Sequence, residues 1–214
     1  MTSNYSTIDW RETMNGVSID CSLDMAIHPA NSSIILLTVP GVDGSVDGYD
    51  NKYVRIADSI QATIGAAIVR IANPFITSFH WESNLRQALD YIANHAAEIT
   101  NHTDYEIRLM AHSAGAAVAA QIAWEYPRIS RLLLVNPATK LDIEAIKSGL
   151  EKLSDRPITI LMGGADPNFD DNQQLIDELK LGNIKLEIAR SADHNFSGEN
   201  FSIFLESPLQ YLFD

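Results

Sequence analysis

The sequence predicts an α/β fold: a mostly parallel central sheet, helices on both of its faces, and an antiparallel hairpin at the N-terminal edge. Strict two-residue alternation near the N-terminus, short unbroken apolar runs after it, and helically spaced stretches between those runs carry the prediction.

Ile8 and Trp10 precede Asn15-Gly16, after which Val17, Ile19, Cys21, Leu23, Met25 and Ile27 alternate with polar or small residues. Asn-Gly accepts the positive φ angles of a tight turn, so the stretch reads as a hairpin with one buried face. Apolar runs follow at Ile34–Val39, Ala66–Ile71, Ile107–Met110, Leu132–Val135, Ile158–Met162 and Ile184–Ile188, as expected of strands covered on both faces. Between them, Leu85, Ala88, Leu89, Ile92, Ala93 and Ala96 form one helical stripe, and Ile143, Ile146, Leu150 and Leu153 form another. Residues 54–64, 114–124 and 172–179 fit the same reading, and a last helix carrying Phe201, Phe204 and Leu205 is expected to break at Pro208. Alternation of strand and helix requires crossover connections, hence the parallel sheet. The 214 residues suit one domain spanning 1–214, with no large cap domain, since Leu132 to Ile158 has room for little beyond a strand, a loop and a helix.

Hydrophobic residues make up 46% of the chain and charged residues 20%, an ordinary globular balance. The net charge of −13 disfavours nucleic acid and acidic membrane surfaces as partners and leaves a small-molecule acyl substrate, neutral or weakly cationic, as the expected one. Cys21 is the single cysteine and cannot form an internal disulfide. The start MTSNYSTIDW has neither the basic nor the apolar part of a signal peptide, and no apolar run approaches the ~20 residues of a membrane span, so a cytoplasmic location is expected.

Residues 107–110 run straight into Ala111-His112-Ser113-Ala114-Gly115, followed by an alanine-rich helical segment. A strand, sharp turn and helix in so few residues force the central residue into a strained conformation with its hydroxyl above the sheet, and the small neighbours avoid clashes. The competing reading is that Ser113 only caps the helix. Gly163-Gly164-Ala165-Asp166-Pro167 follows the run at 158–162, and Ser191-Ala192-Asp193-His194 follows the run at 184–188. An aspartate and a histidine are thus expected at the carboxyl ends of adjacent strands, where ligands gather in such sheets. A serine hydroxyl is a weak nucleophile, so His194 would take its proton and Asp166 would orient the ring and stabilise the imidazolium.

A-H-S-A-G resembles the G-x-S-x-G nucleophile signature of the α/β-hydrolase family, with Ala111 in place of the first glycine, and is similar to the Ala-first variant of some small lipases. GGADP and ADHNF are similar to the family's acid and base turns, and the likeness runs over nearly the whole chain in the order serine, aspartate, histidine. The resemblance implies a first oxyanion donor at the Ala114 N–H and a second after the first central strand, in Pro40-Gly41-Val42-Asp43-Gly44, where the Val42 N–H takes that part. Some family members carry the acid one strand earlier, where this chain has Asn136, so Asp166 is preferred.

Asp170, Asp171 and Asp193 read as solvated loop residues, His112 as pointing away from the nucleophile, His28 as a turn residue, and His95 and His102 as lying late in a helix or beyond it; His80 reads either as a pocket residue or as a surface one. Asp166, Asn168 and Asp170 mimic half a calcium loop, but Asp171 stands where glycine is needed and Asp177 where glutamate is. The glycines from Gly41 to Gly48 lack the lysine and serine or threonine of a phosphate loop. The expectation is therefore a cofactor-free serine hydrolase acting on a small carboxylic ester, with a thioesterase, an amidase or a non-catalytic binding protein on the same fold as alternatives.

Overall fold

The computed structural model describes residues 3–76 and 81–214. Among them the chain forms, in order, β1 (Asn4–Met14), β2 (Val17–His28), β3 (Ile34–Val39), α1 (Lys52–Thr63), β4 (Ala67–Ile71), α2 (Trp81–Thr100), β5 (Glu106–His112), α3 (Ala114–Ile122), β6 (Ile129–Val135), α4 (Ile143–Lys152), β7 (Ile158–Gly163), α5 (Phe169–Leu179), β8 (Ile184–Ala189) and α6 (Phe201–Leu212). The strands make one sheet in the order β1-β2-β4-β3-β5-β6-β7-β8. β1 pairs antiparallel with β2 from Asn4↔Ile27 to Met14↔Val17, closing on Asn15 and Gly16, which have φ of 48° and 78°. β2 also pairs antiparallel with β4, and all pairings from β4 to β8 are parallel.

Side chains alternate across a strand, so the two faces of the sheet sort the helices. Ile35, Leu37, Val39, Val69 and Leu109 share a core with Leu85, Leu89 and Ile92 of α2, Val118 of α3, Ile146 and Leu150 of α4 and Leu175 of α5. Leu36, Ile68, Met110 and Leu133 pack on the opposite side with Ile56 and Ile60 of α1 and Phe204 and Leu212 of α6. The inner strands are buried on both faces, but β8 ends the sheet and its residues are only half-buried or exposed, unlike the covered strand its apolar run suggests.

α4 starts on a capped turn, with the Ala145 N–H donating to Asp142 Oδ1 at 3.0 Å. α6 departs from the expected break: it continues through Pro208 to Leu212. Pro208 has no N–H for the Phe204 carbonyl, and Ser207 Oγ supplies the donor instead, 2.8 Å away, so the helix carries the proline without leaving a buried carbonyl unpaired. Between β6 and β7 a short 3₁₀ turn and α4 intervene, and among the described residues no large cap covers the sheet. No helix among the described residues is long and apolar enough to cross a membrane.

Candidate active site

Ser113 sits between β5 and α3 with φ 57° and ψ −120°. For a residue with a Cβ that conformation costs about 1–3 kcal/mol and persists only where its surroundings impose it. Here the Ser113 N–H donates to Val135 O at 2.9 Å, and the Ser113 carbonyl accepts from the Ala117 and Ala138 N–H groups. Gly115 is required by packing: a Cβ there would lie 2.3 Å from Pro40 O and 2.8 Å from Val39 Cγ1. Ala111 fits where the signature has glycine, fully buried between β3 and β6.

Ser113 makes no side-chain cap to α3. Its Oγ instead lies 2.8 Å from His194 Nε2, which disposes of the capping alternative. On the other side of the ring, His194 Nδ1 hydrogen-bonds Asp166 Oδ2. A carboxylate accepts, so Nδ1 carries the proton in the neutral ring and Nε2 is left to accept from the serine hydroxyl. Asp166 follows β7, with its side chain fully buried and Oδ1 accepting from the Asn168 N–H at 2.6 Å. Burial pushes its pKa up, but the bonds from His194 and Asn168 together with the His194 charge more than offset that, and the carboxyl titrates below its ordinary range. The three residues predicted to meet do so, although 81 positions separate His194 from Ser113 and 28 separate it from Asp166.

Two further residues hold this arrangement. Asn136, at the end of β6 with φ 44°, is fully buried and accepts at Oδ1 from the Gly163 N–H at 2.7 Å. Its Nδ2 donates to the carbonyls of Asp193 and His194, at 3.2 and 2.9 Å. One amide thus ties the loop that carries the acid to the loop that carries the histidine, a task needing both a donor and an acceptor that a carboxylate cannot perform. The sequence signal was its place at the acid position of an adjacent strand end.

His112 is the other, and here the expectation is corrected. It does not turn away from the site but packs beside His194, with ring centroids 5.1 Å apart and Nε2 2.8 Å from the His194 carbonyl. Burial, with help from the charges of Lys52 and His194, lowers its pKa to about 3, so the ring is neutral and donates from Nε2.

The loop after β3 reaches the nucleophile through Gly41, where a Cβ would stand 3.0 Å from Ser113 Cβ. The Asp43 N–H donates to Asn73 O and the Gly44 N–H to Gly41 O, whereas among the described residues the Val42 and Ala114 N–H groups have no intramolecular acceptor. Asn73 Nδ2 holds the base of the loop at Pro40 O, 3.1 Å away. Pro40, Gly41, Val42, Asp43 and Gly44 border a half-open cavity of about 460 Å³ that Ser113, His194, Lys52 and Tyr53 also line.

The remaining candidates fall elsewhere. Asp170 and Asp171 lie in the first turn of α5 rather than in a loop. Asp193 is exposed as expected, but its Oδ1 accepts from the Asn195 and Ser197 N–H groups and shapes the histidine turn. His28 ends β2, buried, with Nε2 accepting from Arg70 Nε at 3.1 Å, so it is no turn residue. His95 lies within α2 and His102 beyond it. His80 lies outside the described residues.

No family model matches the chain, and no curated protein sequence matches it. Solved structures do. A putative hydrolase from Agrobacterium vitis superposes with a TM-score of 0.72 at 14% identity, covering 99% of both chains. Est1E from Butyrivibrio proteoclasticus gives 0.70 at 14% identity over 96% of this chain and 99% of its own. The Pyrococcus furiosus esterase Pf2001 gives 0.66 at 15% identity over 97% and 93%.

Proposed function

Taking as premise that this chain has the α/β-hydrolase fold, we propose that it is a serine hydrolase that cleaves small carboxylic esters through an acyl-enzyme intermediate. One observation carries the reading: a single imidazole has Ser113 Oγ on one nitrogen and a buried carboxylate on the other. In the proposed reaction Ser113 Oγ attacks the ester carbonyl while its proton passes to His194 Nε2. The new C–O bond leaves negative charge on the former carbonyl oxygen, which the Val42 and Ala114 N–H groups hold, the latter at the positive end of α3. Collapse breaks the bond to the alcohol, which leaves with the proton from His194. Water then enters, gives its proton to the same nitrogen and attacks the acyl carbon. Release of the acid returns that proton to Ser113.

Asp166 stays ionised throughout and stabilises the imidazolium, in keeping with its lowered pKa. The absence of a large cap and the half-open cavity of about 460 Å³ favour short or flexible acyl groups. The structural neighbours named as esterases are consistent with ester cleavage. The test is labelling with a fluorophosphonate probe alongside turnover of p-nitrophenyl esters, acyl thioesters and aminoacyl amides. Modification confined to Ser113, with esters turned over fastest, supports the proposal. A folded protein that is neither labelled nor active refutes it, and faster thioester or amide cleavage reassigns the leaving group.

A further inference from the structure

Lys52 opens α1 and lines the same cavity as Ser113 and His194. It is 7% exposed, and its Nζ lies over the rings of Phe204 and Tyr53, at 4.2 and 5.2 Å from their centroids. Among the described residues Nζ has neither a carboxylate nor a hydrogen-bond acceptor, in a chain whose net charge is −13. The nearby titratable groups do not compensate it. His112 is neutral, Asp166 faces His194 and Asn168, and Asp43 at the cavity rim gives Oδ1 to the Phe75 N–H at 2.9 Å. The next residue, Tyr53, also lines the cavity, and its Oη is buried without a hydrogen-bond partner among the described residues.

Burying a cation without an anion is costly, and the aromatic faces recover only part of the cost. The strain shows in the lysine itself, whose pKa burial lowers to about 8, although it remains mostly protonated at neutral pH. A general packing role would be served as well by an apolar side chain of the same length. What the site lacks is an anion, and Lys52 lines the cavity where the substrate is proposed to bind.

We propose that Lys52 is a specificity-determining residue whose ammonium pairs with a carboxylate carried by the substrate, so that the protein acts on anionic esters in preference to neutral ones of the same shape. This rests on the hydrolase reading above. The planar carboxylate would accept from Nζ while the ester carbonyl lies against Ser113.

The test compares kcat/KM for matched pairs of esters in the wild-type protein and in Lys52→Met. In one pair the acyl side varies: the mono-p-nitrophenyl ester of adipic acid against the p-nitrophenyl ester in which an isopropyl group replaces the free carboxylate. In the other the alcohol side varies: para-acetoxybenzoate against para-isopropylphenyl acetate. Intrinsic reactivity cancels when each anionic-to-neutral ratio is compared between the two proteins. The expected result is a fall in that ratio by about tenfold to a hundredfold in at least one pair, the range of a single charge-assisted hydrogen bond. Lys52→Arg should recover part of the preference, and the pair that responds shows which side of the ester bears the charge. Ratios unchanged within about twofold in both pairs, with Ser113 still labelled by fluorophosphonate, overturn the inference and leave the hydrolase reading intact. A folded protein that is neither labelled at Ser113 nor active removes that reading and this inference with it. Thermal unfolding of Lys52→Met establishes that the compared protein is folded.

Discussion

His112 Nε2 donates to the carbonyl oxygen of His194 across 2.8 Å, so the residue immediately before Ser113 holds the main chain of the histidine that faces Ser113. Nucleophile turn and base turn are thereby locked to each other through a neutral ring. His112→Phe keeps the packing and removes the donor, while the Asn136 amide still reaches the same carbonyl. Ester turnover should fall about tenfold through kcat, since small displacements of a reacting group are expensive, with a stability loss of about 1 kcal/mol by urea unfolding.

Asn136→Asp puts an acceptor opposite the two carbonyls that now receive Nδ2, in a fully buried position. The variant should lose about 3 kcal/mol or more of stability, as breaking a buried polar network does. A variant as stable as the wild type in chemical denaturation would show that Asn136 does not join the two loops.

Asp166→Asn preserves shape but removes the charge, and the expected result is a fall in kcat of about 10³–10⁴. The lowered carboxyl pKa also predicts a stability effect with a definite sign. A group whose folded pKa lies below its unfolded value stabilises the protein above the unfolded value, near 4, and loses that contribution as the pH falls through the folded one. Wild type and Asp166→Asn should therefore converge in stability at the acid end of a titration followed by circular dichroism. Divergence there would contradict the lowered pKa.

At Lys52 the buried charge costs stability instead of adding it, yet stability again rises with pH because this pKa too is lowered on folding. Its pKa falls from 10.5 to about 8 on folding, so the unfolded chain binds the extra proton between those values and stability rises with pH across that window. Below it the cost of burying the charge is felt in full. Lys52→Met should accordingly be more stable than wild type at neutral pH by about 1–3 kcal/mol, and the difference should shrink above pH 8. Denaturation midpoints measured across that range check it.

Gly115→Ala would drive a methyl group to 2.3 Å from Pro40 O, at the base of the Val42 loop. The strand or the loop has to move, with a cost of about 1–3 kcal/mol. Ester turnover should fall more than in a surface control of equal stability. Unimpaired turnover would separate the Val42 loop from the reaction.

The order of strands and helices was written in local patterns, because a strand or helix is announced by the period of its own side chains: Ile34–Val39 was read at its observed bounds. Ser113, Asp166 and His194 were legible for the same reason, each standing just after an apolar run that had to be a strand. What the tertiary structure decided are matters of distance between segments. It inserted β4 between β2 and β3 and set β3 beside β5, which brings the loops after β3, β5, β7 and β8 to one edge. It turned His112 toward the site, made Asn136 a joint between two loops, buried Lys52 with no counter-ion among the described residues and let Ser207 carry α6 through Pro208. Periodicity records which face of an element is apolar, but a polar side chain takes its role from whichever partner the fold brings near, and these partners are mostly far away in the chain.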